Sequence, residues 1–426
     1  MDTTFPFIQR LHIHKVRHLE NIDILLDEAR PRHLILTGPN GCGKTSVLRE
    51  IEKYVEGICN EKVFSVQQNN SQINAYKERI KHLEQKMASA TTQEEKSGHA
   101  IQINNFKNTI SRIERSAAEF SSISLSISDA ITLKEAYKNA NFTCIAFNAR
   151  RTSNISTVSG AQKLDLPTVS KIEVNANTPG SRFLQFLVNQ QNRAALLQMK
   201  GDAAGVAKIQ AWLANITAKF RQLFQNDQLM LEYDIDNFDF IIHMPGREPF
   251  RMVDNQLSDG FSAILHVVAE LLMRMEAAGN HDYTMPGIVL IDEIETHLHI
   301  KLQKAILPFL TGFFPNIQFI VTTHSPFVLT SLPDAVVFDL ESHERWENMS
   351  PMSASSVVEH YFDLDLYSDT IKHHMTRLQA LTGRARSPDE ETEYQQLCAQ
   401  LDNLREEQAP ELISHYRALR AKEAAQ

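Results

Sequence analysis

The sequence predicts an α/β fold built around a phosphate-binding loop, with an antiparallel helical hairpin inserted into it and a helical region at the C-terminal end. Three observations predict it. The stretch Gly38-Pro39-Asn40-Gly41-Cys42-Gly43-Lys44-Thr45-Ser46 fits the pattern G-x-x-x-x-G-K-[ST]. A second apolar run, Ile288 to Ile291, ends in Asp292-Glu293. Between them, two stripes of apolar residues recur in steps of three and four, the signature of paired helices.

The loop has the flanks its chemistry needs. His33-Leu34-Ile35-Leu36-Thr37 is short, apolar and preceded by Pro31, so it reads as a buried strand. Thr45 to Ile51 reads as an amphipathic helix. In that context backbone N–H groups close around phosphate oxygens and the helix N-terminus adds partial positive charge. The candidate nucleotide-binding residues are therefore Gly38, Asn40, Gly41, Cys42, Gly43, Lys44, Thr45 and Ser46. Lys44 is placed to reach the β- and γ-phosphates and the Thr45 hydroxyl to ligate Mg²⁺. For Cys42 the plainer reading is a small filler.

Composition narrows the class. At 426 residues the chain has room for two or three domains, and 42% hydrophobic with 22% charged residues is ordinary for a globular protein. A formal net charge of −9 argues against a surface generally coated by nucleic acid, while leaving a local basic patch open. Cys42, Cys59, Cys144 and Cys398 are scattered without a C-x-x-C, which suggests neither a disulfide frame nor a zinc site. The start MDTTFPFIQR lacks a signal-peptide pattern, and no apolar run is long enough to span a bilayer. The expectation is a soluble, reduced, cytoplasmic protein with no membrane partner.

Taken in order, residues 7–13 and 22–26 read as strands on either side of the turn HKVRHLEN, which carries Arg17. Read alone, Arg17 is a solvated turn residue. From Ile73 the stripe Ile73, Tyr76, Ile80, Leu83, Met87, Ala90 is followed by the polar turn TTQEEKSG and a second stripe, Ile103, Phe106, Ile110, Ile113, Ala117, Phe120. This describes a coiled-coil hairpin with arms about 27 Å long, or two amphipathic helices packed on the core. ISLSIS and FTCIAFNARR return to strand character, and residues 151–180, rich in Ser, Thr, Asn and Pro, read as an irregular loop. Helices follow at about 181–198 and 203–225, then strands at 229–233 and 238–244.

Leu257-Ser258-Asp259-Gly260 opens a helix with Phe261, Ile264, Leu265, Val268 and Leu272 on one face. The strand ending in Asp292-Glu293 leads to a helix from about His297 to Phe314, and then to IQFIVTT, which ends at His324-Ser325-Pro326. AVVFDL closes the core. From about Ser355 the chain reads helical, and Ser387-Pro388-Asp389-Glu390 is a capping-box start. That region is either a cap on the core or a docking surface for a partner. Asp363-Leu364-Asp365 lacks strand context and reads as a turn leading into a helix.

An apolar strand ending Asp-Glu downstream of a phosphate loop has a clear role: Asp292 holds the Mg²⁺ shell opposite Thr45, and Glu293 polarises the attacking water. His324 ends the next strand within reach of a γ-phosphate, although a strand-end histidine is usually a surface group. Ser258 and the Gly260 N–H can bind phosphate at a helix start. Nothing requires that phosphate to be held by the same chain's loop.

The order of loop, coiled-coil insertion, LSDG, VLIDEIETHLH and TTHSP resembles the ABC-type ATPase heads of the structural-maintenance-of-chromosomes (SMC) and RecF group. Within it, the pattern is similar to the stand-alone ATPases of bacterial anti-phage systems of the Septu PtuA and retron kind, an OLD-like head without a TOPRIM domain. The resemblance covers roughly residues 7–57 and 230–340. It implies that two subunits sandwich two ATPs, that Ser258 acts in trans, that His324 is the switch histidine and that Arg17 is the early phosphate-contacting arginine. Two departures stand out. Asp259 replaces the usual second signature glycine, and the usual Q-loop glutamine has no assigned position, FNARR at 147–151 occupying about its region with Asn148 as the candidate stand-in.

The domains expected are 1–60 (first part of the head), 61–122 (hairpin), 123–228 (strand return, loop and helical lobe), 229–345 (second part of the head) and 346–426 (helical tail). The resemblance implies a slow ATPase with ATP and Mg²⁺ as cofactors, forming a homodimer or higher homo-oligomer through ATP. It would regulate a separate effector nuclease of HNH or TOPRIM type in anti-phage defence. The alternative is a RecF-like repair ATPase acting on nucleic acid, for which Lys77, Arg79, Lys81, Lys107, Arg112 and Arg115 are the candidate basic residues. A transporter nucleotide-binding subunit is disfavoured by the coiled-coil insertion and by ETHLH after the strand.

Overall fold

A computed structural model describes residues 5–89, 91–151, 155–164, 179–253, 259–279, 283–358, 369–402 and 410–424. The chain divides into two compact units, Met1–Met352 and Ser353–Gln426.

The first unit is organised by a sheet in the order β12-β11-β3-β10-β9-β5. Its strands are β3 (His33–Thr37), β5 (Thr143–Phe147), β9 (Gly287–Ile291), β10 (Ile317–Thr322), β11 (Ala335–Asp339) and β12 (Arg345–Glu347). All neighbours are parallel except the exposed edge strand β12. The five parallel strands are almost wholly buried. That is why they read as continuous apolar runs rather than alternating ones. β3 lies between β10 and β11, so the loop that follows it opens at the middle of one sheet edge.

Strands β1 (Ile8–Val16) and β2 (Leu19–Leu25) do not join that sheet. They form a separate antiparallel layer with β4 (Ile123–Ile127), in the order β2-β1-β4. The long turn expected between them is a two-residue turn, because Val16 pairs with Leu19. The polar residues of HKVRHLEN simply occupy the solvent side of an alternating strand. Side chains tie the two layers together: Arg345 of β12 donates to the Leu25 carbonyl of β2 at 2.7 Å. Gln318 of β10, 1% exposed, accepts the Ile8 N–H at 2.8 Å and donates to the Ile8 and Arg32 carbonyls at 2.9 and 2.8 Å.

Helix α1 (Lys44–Cys59) buries Val47, Leu48, Ile51, Val55 and Ile58 in a cluster shared by both sheets. α2 (Lys62–Ser89) and α3 (Gln93–Glu119) pair as the hairpin, each arm longer than its apolar stripe. Ile73, Ile80, Ile103, Ile110 and Ile113 form a cluster of their own, with the Tyr76 and Phe106 rings packed at a tilt, centroids 5.4 Å apart. Phe120, read as the end of the second stripe, packs instead on Tyr54 of α1. The six candidate basic residues of the hairpin are exposed, and Lys107 pairs with Glu84 across it at 3.8 Å.

A short helix that periodicity did not separate from its flanking strands, α4 (Ala130–Lys138), starts at Asp129, whose carboxylate accepts the Thr132 N–H. After the irregular residues 155–164 and a 3₁₀ turn at 179–182 come α5 (Phe183–Met199) and α6 (Ala203–Phe224). A third sheet holds β6 (Met230–Asp234), β7 (Asp239–His243) and the two-residue β8 (Phe250–Arg251). α7 (Asp259–Ala277) is buried almost all round, and its Phe261 stacks on Phe224 at 4.9 Å. α8 (Ile300–Phe313) starts three residues later than expected, because 292–297 form turns, and α9 (Pro326–Leu329) is capped by Ser325.

The second unit contains α10 (Ala354–Ser356), α11 (Asp369–Leu381), α12 (Pro388–Asp402) and α13 (Pro410–Ala424). The predicted capping box is formed: Glu390 N–H donates to Ser387 Oγ at 3.3 Å, and Ser387 N–H donates to Glu390 Oε2 at 2.9 Å. Leu378, Leu381, Tyr394, Leu397, Leu401, Leu412 and Leu419 make its core. Asp363 and Asp365 lie outside the described residues, as do Ala90, Leu404 and Ala409.

His33 gives the fold a pH signature. Its ring packs on Phe319, and Nδ1 accepts the Phe319 N–H at 3.1 Å. Burial, partly offset by Asp334, pushes its pKa down from 6.5 to about 4. The unfolded chain takes up a proton near pH 6.5 that the folded form refuses until about pH 4, so stability falls as pH drops through that window. Allowing for partial exposure of the ring, the loss is of order 2 kcal/mol. His33→Asn keeps an acceptor without a titration and should flatten that part of the slope in urea titrations at pH 7 and pH 4.5. Equal slopes in the two proteins would remove His33 from this role.

Candidate active site

The loop after β3 takes a shape that side chains would resist. Gly38 has φ +127°, and a Cβ there would lie 2.9 Å from Cys42 Sγ. Gly43 has φ +106° and caps α1, and a Cβ there would lie 3.0 Å from Leu19 Cδ1. Asn40 and Gly41 are exposed, Cys42 is buried as a filler, and Ser46 is half-buried in the first turn of α1. Lys44 is buried, and its ammonium donates to the Gly38 and Pro39 carbonyls at 2.8 and 2.9 Å. Its third partner is Cys42 Sγ at 3.7 Å, a weak acceptor that an anion at the loop could displace.

Asp292 leaves the end of β9 only 6% exposed, with its backbone N–H held by the Phe147 carbonyl of β5. Its carboxylate accepts the Thr45 hydroxyl, at 3.0 and 3.2 Å to the two oxygens, and the Thr322 hydroxyl at 2.6 Å. The Thr322 oxygen also accepts the Glu293 N–H at 2.7 Å. Threonine hydroxyl and carboxylate are hard oxygen donors of the kind Mg²⁺ takes, and here they meet at the mouth of the glycine loop. The donor set fits that ion.

Glu293 sits in the left-handed region, φ +44°, and its Oε2 accepts the Thr296 hydroxyl at 3.2 Å. The turn it belongs to is held by Arg151, 4% exposed, whose guanidinium donates to the carbonyls of Asn148, Asp292, Glu293 and Ile294 at 2.6–3.2 Å. Burial lowers the Arg151 pKa to about 10, against the pull of Glu295, Asp292 and Glu293. His324 follows β10, and its N–H donates to Glu295 Oε1 at 2.6 Å. Burial and the nearby Lys44 charge lower its pKa below 6.5, which keeps the ring neutral at neutral pH.

The sheet edge therefore gathers the loop, Thr45, Asp292, Glu293 and His324. Asn148 and Asp292 line one cavity of about 540 Å³, together with Arg49, Lys53 and Arg150. Arg17 is exposed at the tip of the β1–β2 turn with φ +54°, two residues before the Leu19 that packs on Gly43. Gly260 lies in the first turn of α7, where a Cβ would be 2.8 Å from the His297 carbonyl oxygen, and no described hydrogen bond joins it to the loop. Ser258 lies outside the described residues. Thr322, Glu295 and Arg151 escaped the sequence reading. Thr322 was legible as the strand-end hydroxyl that opens TTHSP, but nothing in FNARR marks Arg151 over Arg150.

Residues 63–330, more than half of the chain, match the family model described as "AAA domain, putative AbiEii toxin, Type IV TA system", and the chain belongs to that family. The matched span includes Asp292, Glu293 and His324 and begins after the glycine loop. The Septu protein PtuA of Bacillus mycoides (strain KBAB4) is 42% identical over 90 residues, 21% of this chain and 13% of that protein. The retron Vc95 probable ATPase of Vibrio cholerae serotype O1 biovar El Tor is 40% identical over 102 residues, 23% of this chain and 20% of that protein. The retron Ec83 probable ATPase of Escherichia coli is 41% identical over 96 residues, 22% and 18% of the two chains. The alignments thus span a fifth or less of these relatives. Among solved structures, an Smc head bound to the C-winged helix domain of ScpA aligns with a TM-score of 0.34 and 11% identity, over 81% of this chain and 100% of that one. No helix among the described residues is long and apolar enough to cross a membrane.

Thr322 serves two partners at once, so its hydroxyl should matter more than its volume. Thr322→Val leaves the Glu293 N–H and one Asp292 oxygen short of a partner, at about 2–4 kcal/mol for the two. Urea denaturation should show that loss, with Thr322→Ser close to wild type. A valine variant as stable as wild type would mean that the two groups find other partners.

Proposed function

We propose that this chain binds ATP with Mg²⁺, hydrolyses it slowly, and uses the nucleotide to join two copies head to head. The joined state would control a separate effector nuclease, of HNH or TOPRIM type, in anti-phage defence. The observation that carries the reading is the buried Asp292 carboxylate shared by the Thr45 and Thr322 hydroxyls beside the lysine-capped glycine loop. Membership of the AAA family and the ATPase names of the relatives support nucleotide chemistry. The Septu and retron names support defence.

In this reading the loop N–H groups and Lys44 bind the phosphates by charge and by preformed geometry. Thr45 and Asp292 would hold Mg²⁺, which when bound neutralises charge on the β- and γ-phosphate oxygens. The Glu293 carboxylate orients and deprotonates the attacking water. Neutral His324 can donate one hydrogen bond to the γ-phosphate without adding charge. Ser258 and the Gly260 N–H would meet the phosphate of a second copy, and Arg17 at its exposed turn would add a cation at the rim. Residues 353–426 have their own apolar core and are the proposed docking element for the effector.

Direct action on nucleic acid is the less favoured reading. The exposed hairpin cations are interspersed with carboxylates, and Lys107 is already paired with Glu84.

Glu293→Gln should keep ATP affinity within a fewfold while lowering turnover at least about a hundredfold, and should accumulate an ATP-dependent dimer in light scattering. Turnover at the wild-type rate would remove Glu293 from the water's path. A mixing experiment tests the composite site separately. Ser258→Arg and Lys44→Ala chains, each inactive alone, should regain up to about a quarter of wild-type turnover when mixed, as expected if each dimer pairs the chains at random. Failure at every ratio would place both halves of the site in one chain.

A further inference from the structure

Arg151 has no part in the chemistry above, yet it is buried and its guanidinium makes four hydrogen bonds to backbone carbonyls. Its Nη1 donates to the carbonyls of Asn148 (3.1 Å) and Asp292 (2.6 Å), and its Nη2 donates to those of Glu293 (2.9 Å) and Ile294 (3.2 Å). Three of these acceptors are consecutive, and the middle one belongs to the residue held at φ +44°. Consecutive carbonyls in a strand point to opposite sides, so they can converge on one guanidinium only where the chain turns sharply. A left-handed conformation is unfavourable for glutamate and persists only where its surroundings enforce it. The planar fork of arginine matches this array of acceptors, whereas a lysine ammonium is a compact point charge.

We propose that Arg151 is a positioning residue for Glu293, clamping the 292–294 carbonyls so that the Glu293 side chain is presented at the end of β9 in one orientation. The inference rests on the hydrolytic reading given above. Arg151 touches neither phosphate nor water in this scheme. It acts through the backbone of the residue that does, so its loss should be felt in turnover and not in nucleotide affinity.

The test compares full-length wild type, Arg151→Ala and Arg151→Lys by three measurements: thermal melting, equilibrium binding of a fluorescent ATP analogue with Mg²⁺, and steady-state ATP hydrolysis. For Arg151→Ala the expectation is an affinity within about threefold of wild type and a kcat lowered by at least about tenfold. Arg151→Lys, which keeps the charge and three donors, should melt like wild type and recover only part of the rate. A folded alanine variant with kcat within about twofold of wild type overturns the proposal. So does a fall in affinity that matches the fall in rate, or a failure of both variants to fold, since either would make Arg151 a structural cation only. A wild-type chain that binds the analogue without any turnover removes the hydrolytic reading itself, an outcome visible before either variant is measured.

Discussion

A carboxylate at the end of a buried strand organises this molecule's functional edge. Asp292 is reached by hydroxyls from two other elements, Thr45 at the start of α1 and Thr322 at the end of β10, while its own backbone is held by β5. These contacts lock three neighbouring parallel strands and the helix after the glycine loop into one register. A buried anion is tolerated only when it is well solvated by protein donors, so the donors must arrive together. That requirement explains why the apolar run Phe319 to Val321 gives way to the Thr322 hydroxyl at the end of β10. It also explains why the turn after Asp292 is as tightly determined as the strand before it.

Much of the architecture was legible because its signals are local. The parallel strands are short, mostly apolar runs, several of them bounded by glycine, proline or an acidic residue, and each was visible as such from Leu34 to Phe338. The capping box at Ser387 is a four-residue code and formed as written. What was not legible depends on partners distant in sequence. Residues 7–13 and 22–26 were legible as strands, but whether a strand joins a sheet or stands beside it depends on contacts as far as 310 residues away. α4 was lost because nine residues carry barely two turns of periodicity. Arg151 was invisible because carbonyl acceptors leave no trace in side-chain identity. The glycine loop, Thr45 and Asp292 were legible because each is carried by a short motif local in sequence.

The hairpin and the C-terminal unit show two ways of adding to such a head. α2 and α3 carry an isoleucine ladder separate from the main cluster, with only their base, at Val63 and Phe120, packed on α1. Length can therefore change along the arms without disturbing the base. Residues 353–426 close a core of their own, ringed by ion pairs such as Arg377–Glu393 and Arg386–Glu423. A head that carries such independent pieces can keep its nucleotide chemistry while its attachments diverge.

Gln318 has a practical meaning for anyone redesigning this protein. In a profile of strand β10 it looks like a flaw, a lone amide in an otherwise apolar run, and a stabilising redesign would smooth it to valine or isoleucine. Yet its side chain fills the role of a peptide group, offering one acceptor and two donors to the backbone of Ile8 and Arg32. The smoother sequence would score better by every single-strand criterion and would strip the Ile8 and Arg32 backbone groups of the partner that joins the two sheets at that point.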